Sequence, residues 1–291
     1  MALHFGMEAW LAALFGLVIG SFLNVVILRL PRQMEQDWAA EHEAAIRGAA
    51  HVAGSGRAPA YGVTLSTPRS HCPHCGHTIY WYQNIPVLSY LVLRGHCAHC
   101  KARISMRYPL VELATAALFA LCVARWGTNP TGLAWCGFSA ALLTLALIDW
   151  DTTLLPDSIT LPLLWAGLLA SALQWTTTPL PDAVYGAVAG YLSLWLVYWA
   201  FKLATGKEGM GYGDFKLFAA LGAWLGWQAL VPVILIASVL GLIAGLALQF
   251  TGSLREGGYI PFGPFLAGAG CAAMVFGSDM MVDGLFAFAG M

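Results

Sequence analysis

The chain of 291 residues is 59% hydrophobic and only 10% charged, with a formal net charge of −1 and a mean hydropathy of +0.69. Soluble domains carry about 25% charged residues, so the composition excludes an ordinary soluble protein and indicates an integral membrane protein in a lipid bilayer. The near-neutral total leaves no electrostatic footing for nucleic acid. Residues 29–107 hold nine of the fourteen Lys and Arg and most of the histidines, whereas the 184 residues from Tyr108 onward carry fifteen charges. The sequence therefore predicts an all-α polytopic membrane protein with about eight transmembrane helices and one polar insert between the first two.

Residues 1–28 contain the first span, Glu8–Leu28. No Lys or Arg precedes it, and no small-residue cleavage site follows it before Arg29, so it is expected to stay rather than be cleaved as a signal. In the insert, 33–50 reads as a polar helix and Gly54–Pro59 as a breaker. Two knuckles follow, Cys72-Pro-His-Cys75 and Cys97-Ala-His-Cys100, separated by twenty-one residues. Each pair offers two thiolates from one tight turn, which suits a structural, tetrahedral Zn²⁺; Gly76 helps the first turn. The spacer is slightly longer than the usual run of about 15–20 residues. Disulfides are a competing reading that a reducing cytoplasm disfavours. A thiol redox centre is another, less suited to two similar pairs than a single four-ligand site. Four cysteines leave no open position for a catalytic water. His71, His74, His77, His96 and His99 are expected beside this site or on the surface, and Cys122, Cys136 and Cys271 as packing residues in apolar spans.

A span needs about 20 mostly apolar residues. Seven more candidates lie in 108–291: Leu110–Trp126, Gly132–Ile148, Ser158–Trp175, Ala183–Leu203, Phe215–Gln228, Ala229–Phe250 and Phe262–Met280. Turn signals at 127–130, 176–182 and 257–261 separate most of them, but the turn at 226–232 is barely polar. Gly-x-x-x-Gly pairs at 16/20, 186/190, 222/226 and 241/245 allow helices to approach closely; small residues scattered through a Gly-rich chain are the plainer reading. Arg29, Arg32, Lys101, Arg103 and Arg107 flank the insert, which the positive-inside rule makes cytoplasmic. Counting forward puts Asp149, Lys202, Lys207, Asp214 and Arg255 on the same side and Arg125 outside.

Carboxylates are costly in hydrocarbon, by roughly 2.5–3.5 kcal/mol for a central Asp on insertion scales. Asp149, Asp151 and Asp157 fall within nine residues at the end of one apolar run and the start of the next. Asp151 would point about 200° around a helix from Asp149. Asp157, after Pro156, reads as the cap of the next helix, with substrate contact as the alternative. Further on, Gly209-Met-Gly-Tyr-Gly-Asp214 leads into the apolar run from Phe215. Gly211 and Gly213 permit unusual backbone angles and close approach of a peptide; taken alone, Asp214 reads more readily as an ordinary N-cap. Two carboxylates in one site cannot both ionise easily, so one can act as general base and the other as acid. The chain has no His beyond His99, which excludes a Ser-His or Cys-His triad in the bundle, and it lacks a His-Glu-x-x-His helix.

These residues resemble the type IV prepilin peptidases, membrane aspartyl proteases with a Gly-x-Gly-Asp motif. The likeness runs through Gly20-Ser-Phe-Leu-Asn-Val-Val-Ile-Leu-Arg-Leu-Pro31, the paired knuckles, Asn84-Ile-Pro-Val-Leu-Ser-Tyr90 and Arg103-Ile-Ser-Met-Arg-Tyr-Pro-Leu-Val-Glu112. The Asp149–Asp157 segment and Gly211-Tyr-Gly-Asp214 complete it, with no departure at motif positions. The resemblance implies that Asp149 and Asp214 are the catalytic pair of an enzyme of the bacterial inner membrane, its active site facing the cytoplasm. It implies prepilins and pilin-like secretion proteins as substrates, and methylation of the new N-terminus with S-adenosylmethionine, whose binding residues no motif marks. Two readings from other classes are a proton-coupled transporter, whose acids would sit near the bilayer midplane, and a zinc-organised scaffold of a secretion machine.

Overall fold

The computed structural model describes residues 6–48, 62–251, 260–277, 280–281 and 283–284. Gly54–Pro59, Arg255 and most of the turn at 257–261 lie outside the described residues. The chain divides into two compact units, 3–121 and 122–291. Among the described residues every long element is helical, and no strand forms beyond two isolated bridges.

In the first unit, α1 runs from Met7 to Gly48. The expected first span and polar helix are one continuous element, because Ala, Glu, Gln and Arg fill 33–47 and favour helix. Pro31 removes one internal donor without ending the helix. A short helix α2, Leu88–Val92, precedes α3, Arg107–Trp126. The Gly16/Gly20 pair lies against α3 at backbone contact, since a Cβ on either residue would sit 2.7 Å from the Cα of Ala116 or Glu112. Asn24 donates to the Tyr108 carbonyl at 3.1 Å, and Val87 N–H donates to Glu112 at 2.7 Å. Three of the motif segments thus meet in one place.

The second unit contains α4 (Pro130–Thr152), α5 (Asp157–Ala172), α6 (Leu180–Thr205), α7 (Tyr212–Leu225), α8 (Leu230–Phe250) and α9 (Gly263–Phe276). Its centre is α7, apolar all round and buried from Asp214 to Trp224 apart from Lys216. A helix with no polar face belongs inside, and α5, α6 and α9 pack around this one. Gly186 and Gly190 bring α6 onto it; a Cβ at Gly222 would collide with the Gly186 carbonyl oxygen. From α5, the Leu163 carbonyl accepts the buried indole N–H of Trp224 at 2.8 Å. On α9, Gly270 faces Leu221 of α7 and Leu142 of α4. The 241/245 pair meets only side chains of Phe265 and Ile260, so close backbone approach is not general to these motifs.

Among the described residues, five helical segments are long and apolar enough to cross a membrane, namely α1, α3, α4, α6 and Trp227–Phe250. The others among the eight long helices have 14 to 16 residues, or about 21–24 Å at 1.5 Å per residue. A buried helix need not reach both faces of a hydrocarbon layer about 30 Å thick.

Backbone contact between α6 and α7 predicts a specific sensitivity. Gly222→Ala should cost about 1–3 kcal/mol by overpacking, read as a lower thermal midpoint in detergent. Gly268→Ala, on exposed helix surface with nothing within 4 Å of the added atom, should leave the midpoint unchanged.

Candidate active site and metal centre

Helix α4 continues through Thr152 instead of stopping at Ile148, which puts Asp149 in its last turn. The helix ends where Thr153 adopts a left-handed conformation (φ 56°) and its N–H bonds the Asp149 carbonyl at 2.8 Å. Asp214 is the third residue of α7, following Gly211 as N-cap. The two acids are 5% and 4% exposed, close enough to act on each other electrostatically. Asp151 is half-buried and Asp157 exposed, so of the three clustered acids only Asp149 joins Asp214 in the interior. Asp149 Oδ2 accepts the backbone N–H of Gly263 at 2.9 Å. Asp214 Oδ1 is buried with no hydrogen-bond partner among the described residues. A buried acceptor without a partner is uncommon and signals strain or function.

Leu155 sets the spacing around this pair. A Cβ on Gly213 would come within 2.6 Å of Leu155 Cβ, and one on Gly263 within 3.3 Å of Leu155 Cδ1. Gly213 is therefore needed for room, not for unusual backbone angles. Gly211 has ordinary extended angles (φ −81°, ψ 150°), and a Cβ there would meet nothing closer than Asp214 Oδ2 at 3.7 Å. Nothing in its surroundings demands glycine.

The expected capping role of Asp157 is not what forms. Pro156 is the N-cap of α5, and the Asp157 carboxylate instead receives Lys216 Nζ at 2.6 and 2.7 Å. Exposed ion pairs contribute about 0–1 kcal/mol, so this one matters for placement: it ties the head of α5 to the turn carrying Asp214. The loop before α7 is tethered as well. Lys202 pairs with Glu208 at 2.8 Å and lies over Tyr198 and Trp199. That contact holds the Glu208 carboxyl below its usual range. Tyr198, Tyr212 and Phe215 pack ring to ring beside it.

In the first unit the four sulfurs of Cys72, Cys75, Cys97 and Cys100 lie within 4.8 Å of one another and could hold a metal ion. Cys72 Sγ and Cys100 Sγ are 3.8 Å apart, which is the edge of a tetrahedron whose metal–sulfur bonds are about 2.3 Å. The knuckles are structural repeats offset by twenty-five residues. Gly76 N–H bonds the Cys72 carbonyl as Lys101 N–H bonds that of Cys97, and bridges 71/78 and 96/103 close each turn. Gly76 and Lys101 are both left-handed, at φ 68° and 59°. Backbone amides of Cys100 and His99 hold the Cys97 thiol down at about 6. His77 and His99 stack at 4.9 Å, and His71 and His96 each place Nδ1 near a backbone carbonyl, of Arg69 and Arg94. Between residues 62 and 106 only Cys72 and Gly95 are buried. In the other unit Cys122 and Cys136 are buried and Cys271 is half-buried.

Sequence reasoning missed Gly263, Leu155 and the Asp157–Lys216 pair. The signal at Gly263 was its place in Pro261-Phe-Gly-Pro264, read only as the edge of a span.

Residues 14–126 match the family described as Bacterial Peptidase A24 N-terminal domain, and residues 136–246 match the Type IV leader peptidase family. Three curated proteins named prepilin leader peptidase/N-methyltransferase are similar over almost their whole length. The one from Burkholderia pseudomallei (strain K96243) is 51% identical over 277 residues, covering 95% of this chain and 88% of that protein. The one from Aeromonas hydrophila is 52% identical over 275 residues, with 93% and 91% covered. The Pseudomonas aeruginosa protein is 49% identical over 277 residues, with 95% and 93% covered. No solved structure gives a significant match.

Proposed function

Because the chain belongs to the type IV leader peptidase family, we propose that it removes prepilin leaders with Asp149 and Asp214 as the catalytic pair and methylates the N-terminus this cut exposes. The observation that carries the assignment is the meeting of two buried carboxylates, one held by an amide and the other with an unpartnered oxygen. Two carboxylates so placed share a proton. The ionised member takes a proton from water as its oxygen attacks the scissile carbonyl carbon. The protonated member donates a hydrogen bond to the carbonyl oxygen, and the leaving amine takes a proton as the C–N bond breaks. Asp214 Oδ1 is an oxygen still available to such a partner. Both acids lie at helix ends, which favours proteolysis over midplane proton coupling.

In this reading 1–28 is the first membrane helix, 29–107 the cytoplasmic insert and 108–291 the bundle with the protease site. The flanking Arg and Lys support a multi-pass enzyme of the inner membrane whose active site faces the cytoplasm. Its substrates are prepilins and pilin-like secretion proteins, and S-adenosylmethionine is the methyl donor. Cys72, Cys75, Cys97 and Cys100 would hold a structural Zn²⁺, with all four positions taken by thiolates and none left for chemistry. Gly213 leaves room for Leu155 beside the turn that presents Asp214, and Gly211 is the N-cap of that turn.

Asp149→Asn and Asp214→Asn should each lower kcat/KM for a leader-bearing peptide by at least about 10³-fold, about 4 kcal/mol of transition-state stabilisation. Mass spectrometry with S-adenosylmethionine present should still detect methylation of a pre-cleaved peptide. Cleavage at the wild-type rate in either variant would remove the assignment.

Purified protein should contain about one zinc per chain by elemental analysis, with Cys72→Ser and Cys97→Ser each losing it. Correctly folded protein free of metal would sink the zinc reading.

A further inference from the structure

We infer that Gly263 is a positioning residue for leader cleavage: its backbone N–H fixes the Asp149 carboxylate, and its missing side chain makes room for that carboxylate at the head of α9. The inference rests on the reading of Asp149 and Asp214 as the catalytic pair.

Two independent features of the position support it. The first is the supply of amides in the opening turn of α9. Phe265 and Leu266 both direct their N–H groups to the Phe262 carbonyl, at 3.1 and 3.2 Å. Pro264 has no N–H to give. Of residues 263–266, Gly263 alone sends its amide out of the helix, and that amide meets Asp149 Oδ2 at 2.9 Å across 114 residues of sequence. A hydrogen bond from a helix terminus to a carboxylate is charge-assisted and short-ranged, so it fixes orientation more tightly than packing alone.

The second feature is space. A Cβ at 263 would stand 2.6 Å from Asp149 Oδ2 and 3.1 Å from its Cγ. Both Asp149 atoms belong to the reacting carboxylate, so the first thing a methyl group there displaces is the carboxylate itself. The φ at this position is not left-handed, so glycine is needed for closeness and not for backbone freedom. Displacement of a reacting group by about 1 Å can cost on the order of 10²-fold in rate without any loss of substrate binding.

The test uses the full-length enzyme in detergent with a leader-bearing peptide. Gly263→Ala should lower kcat roughly 100-fold with KM little changed, and methylation of a pre-cleaved peptide should persist. Gly268→Ala should behave as wild type. Wild-type kcat in Gly263→Ala, while Asp149→Asn is inactive, would overturn the positioning role and leave the catalytic pair standing. Cleavage retained by Asp149→Asn would instead overturn the pair itself. A raised KM with kcat intact would make Gly263 a substrate contact and also refute the proposal, as would loss of methylation together with cleavage. If the variant proves too unstable to assay, thermal midpoints decide. Gly263→Ala should lower the midpoint in the wild-type background and do so far less in an Asp149→Ala background, where the obstructed carboxylate is gone. An equal drop in both backgrounds would show that the clash lies elsewhere.

Discussion

Two carboxylates that act on each other are buried in one largely apolar unit, and much of the architecture can be read as the means of keeping them there. A central Asp costs roughly 2.5–3.5 kcal/mol in hydrocarbon, and a buried acceptor left without a partner about 1–3 kcal/mol. Asp149 escapes part of that cost through the Gly263 amide. Asp214 bears more of it, since its Oδ1 is left without a partner among the described residues. The compensation comes from α7, whose side chains are buried almost continuously for ten residues after it. A helix that is only 14 residues long could not hold such a group by itself. Enclosed by α5, α6 and α9, it becomes the most buried element of the unit and can carry an unsatisfied acid at its head.

Close approach is the second requirement, and glycine meets it in two distinct settings. Between α6 and α7, Gly186, Gly190 and Gly222 let backbones touch, which is where membrane helices gain packing contacts that water would not drive. Around the acids, Gly213 and Gly263 admit Leu155 and the Asp149 carboxylate. Leu155 is adjacent to both glycines, so the short connection between α4 and α5 packs against the heads of both α7 and α9. The Asp157–Lys216 pair then fastens the same connection to α7 from its solvent side.

The helices and the four cysteines were legible in the sequence because their signals are local: apolar runs of fixed length, and thiols three residues apart. Asp149 and Asp214 were legible because charge is rare in the bundle and topology assigned both to one side. Gly263 was not, because its meaning lies in a bond to a residue 114 positions away. Asp157 looked like a cap because Pro156 precedes it, and nothing local announces Lys216 as its partner. The boundary between the first span and the polar helix was also misread. A proline normally marks a break, but helix-forming residues on its C-terminal side carried α1 through it to Gly48. Gly213 of the Gly-x-Gly-Asp motif illustrates a subtler miss, since backbone freedom and close approach of a peptide were the expected reasons and space for Leu155 is the observed one.

The stretch between α1 and α3 follows a different rule from the second unit. Between residues 62 and 106 only Cys72 and Gly95 are buried, so this stretch has no apolar core of its own. Segments of this size without a core need a staple, and the repeated knuckles supply the ligands for one. Their backbone hydrogen bonds match pair for pair at the same offset, so both turns present their sulfurs in the same way. Lys101 holds a left-handed conformation where the first knuckle has glycine, a cost of roughly 1–2 kcal/mol that outside support of the turn would offset. A cation gripping Cys97 and Cys100 would do that. A metal bound there would be structural, because without it residues 62–106 have almost nothing buried to hold their shape.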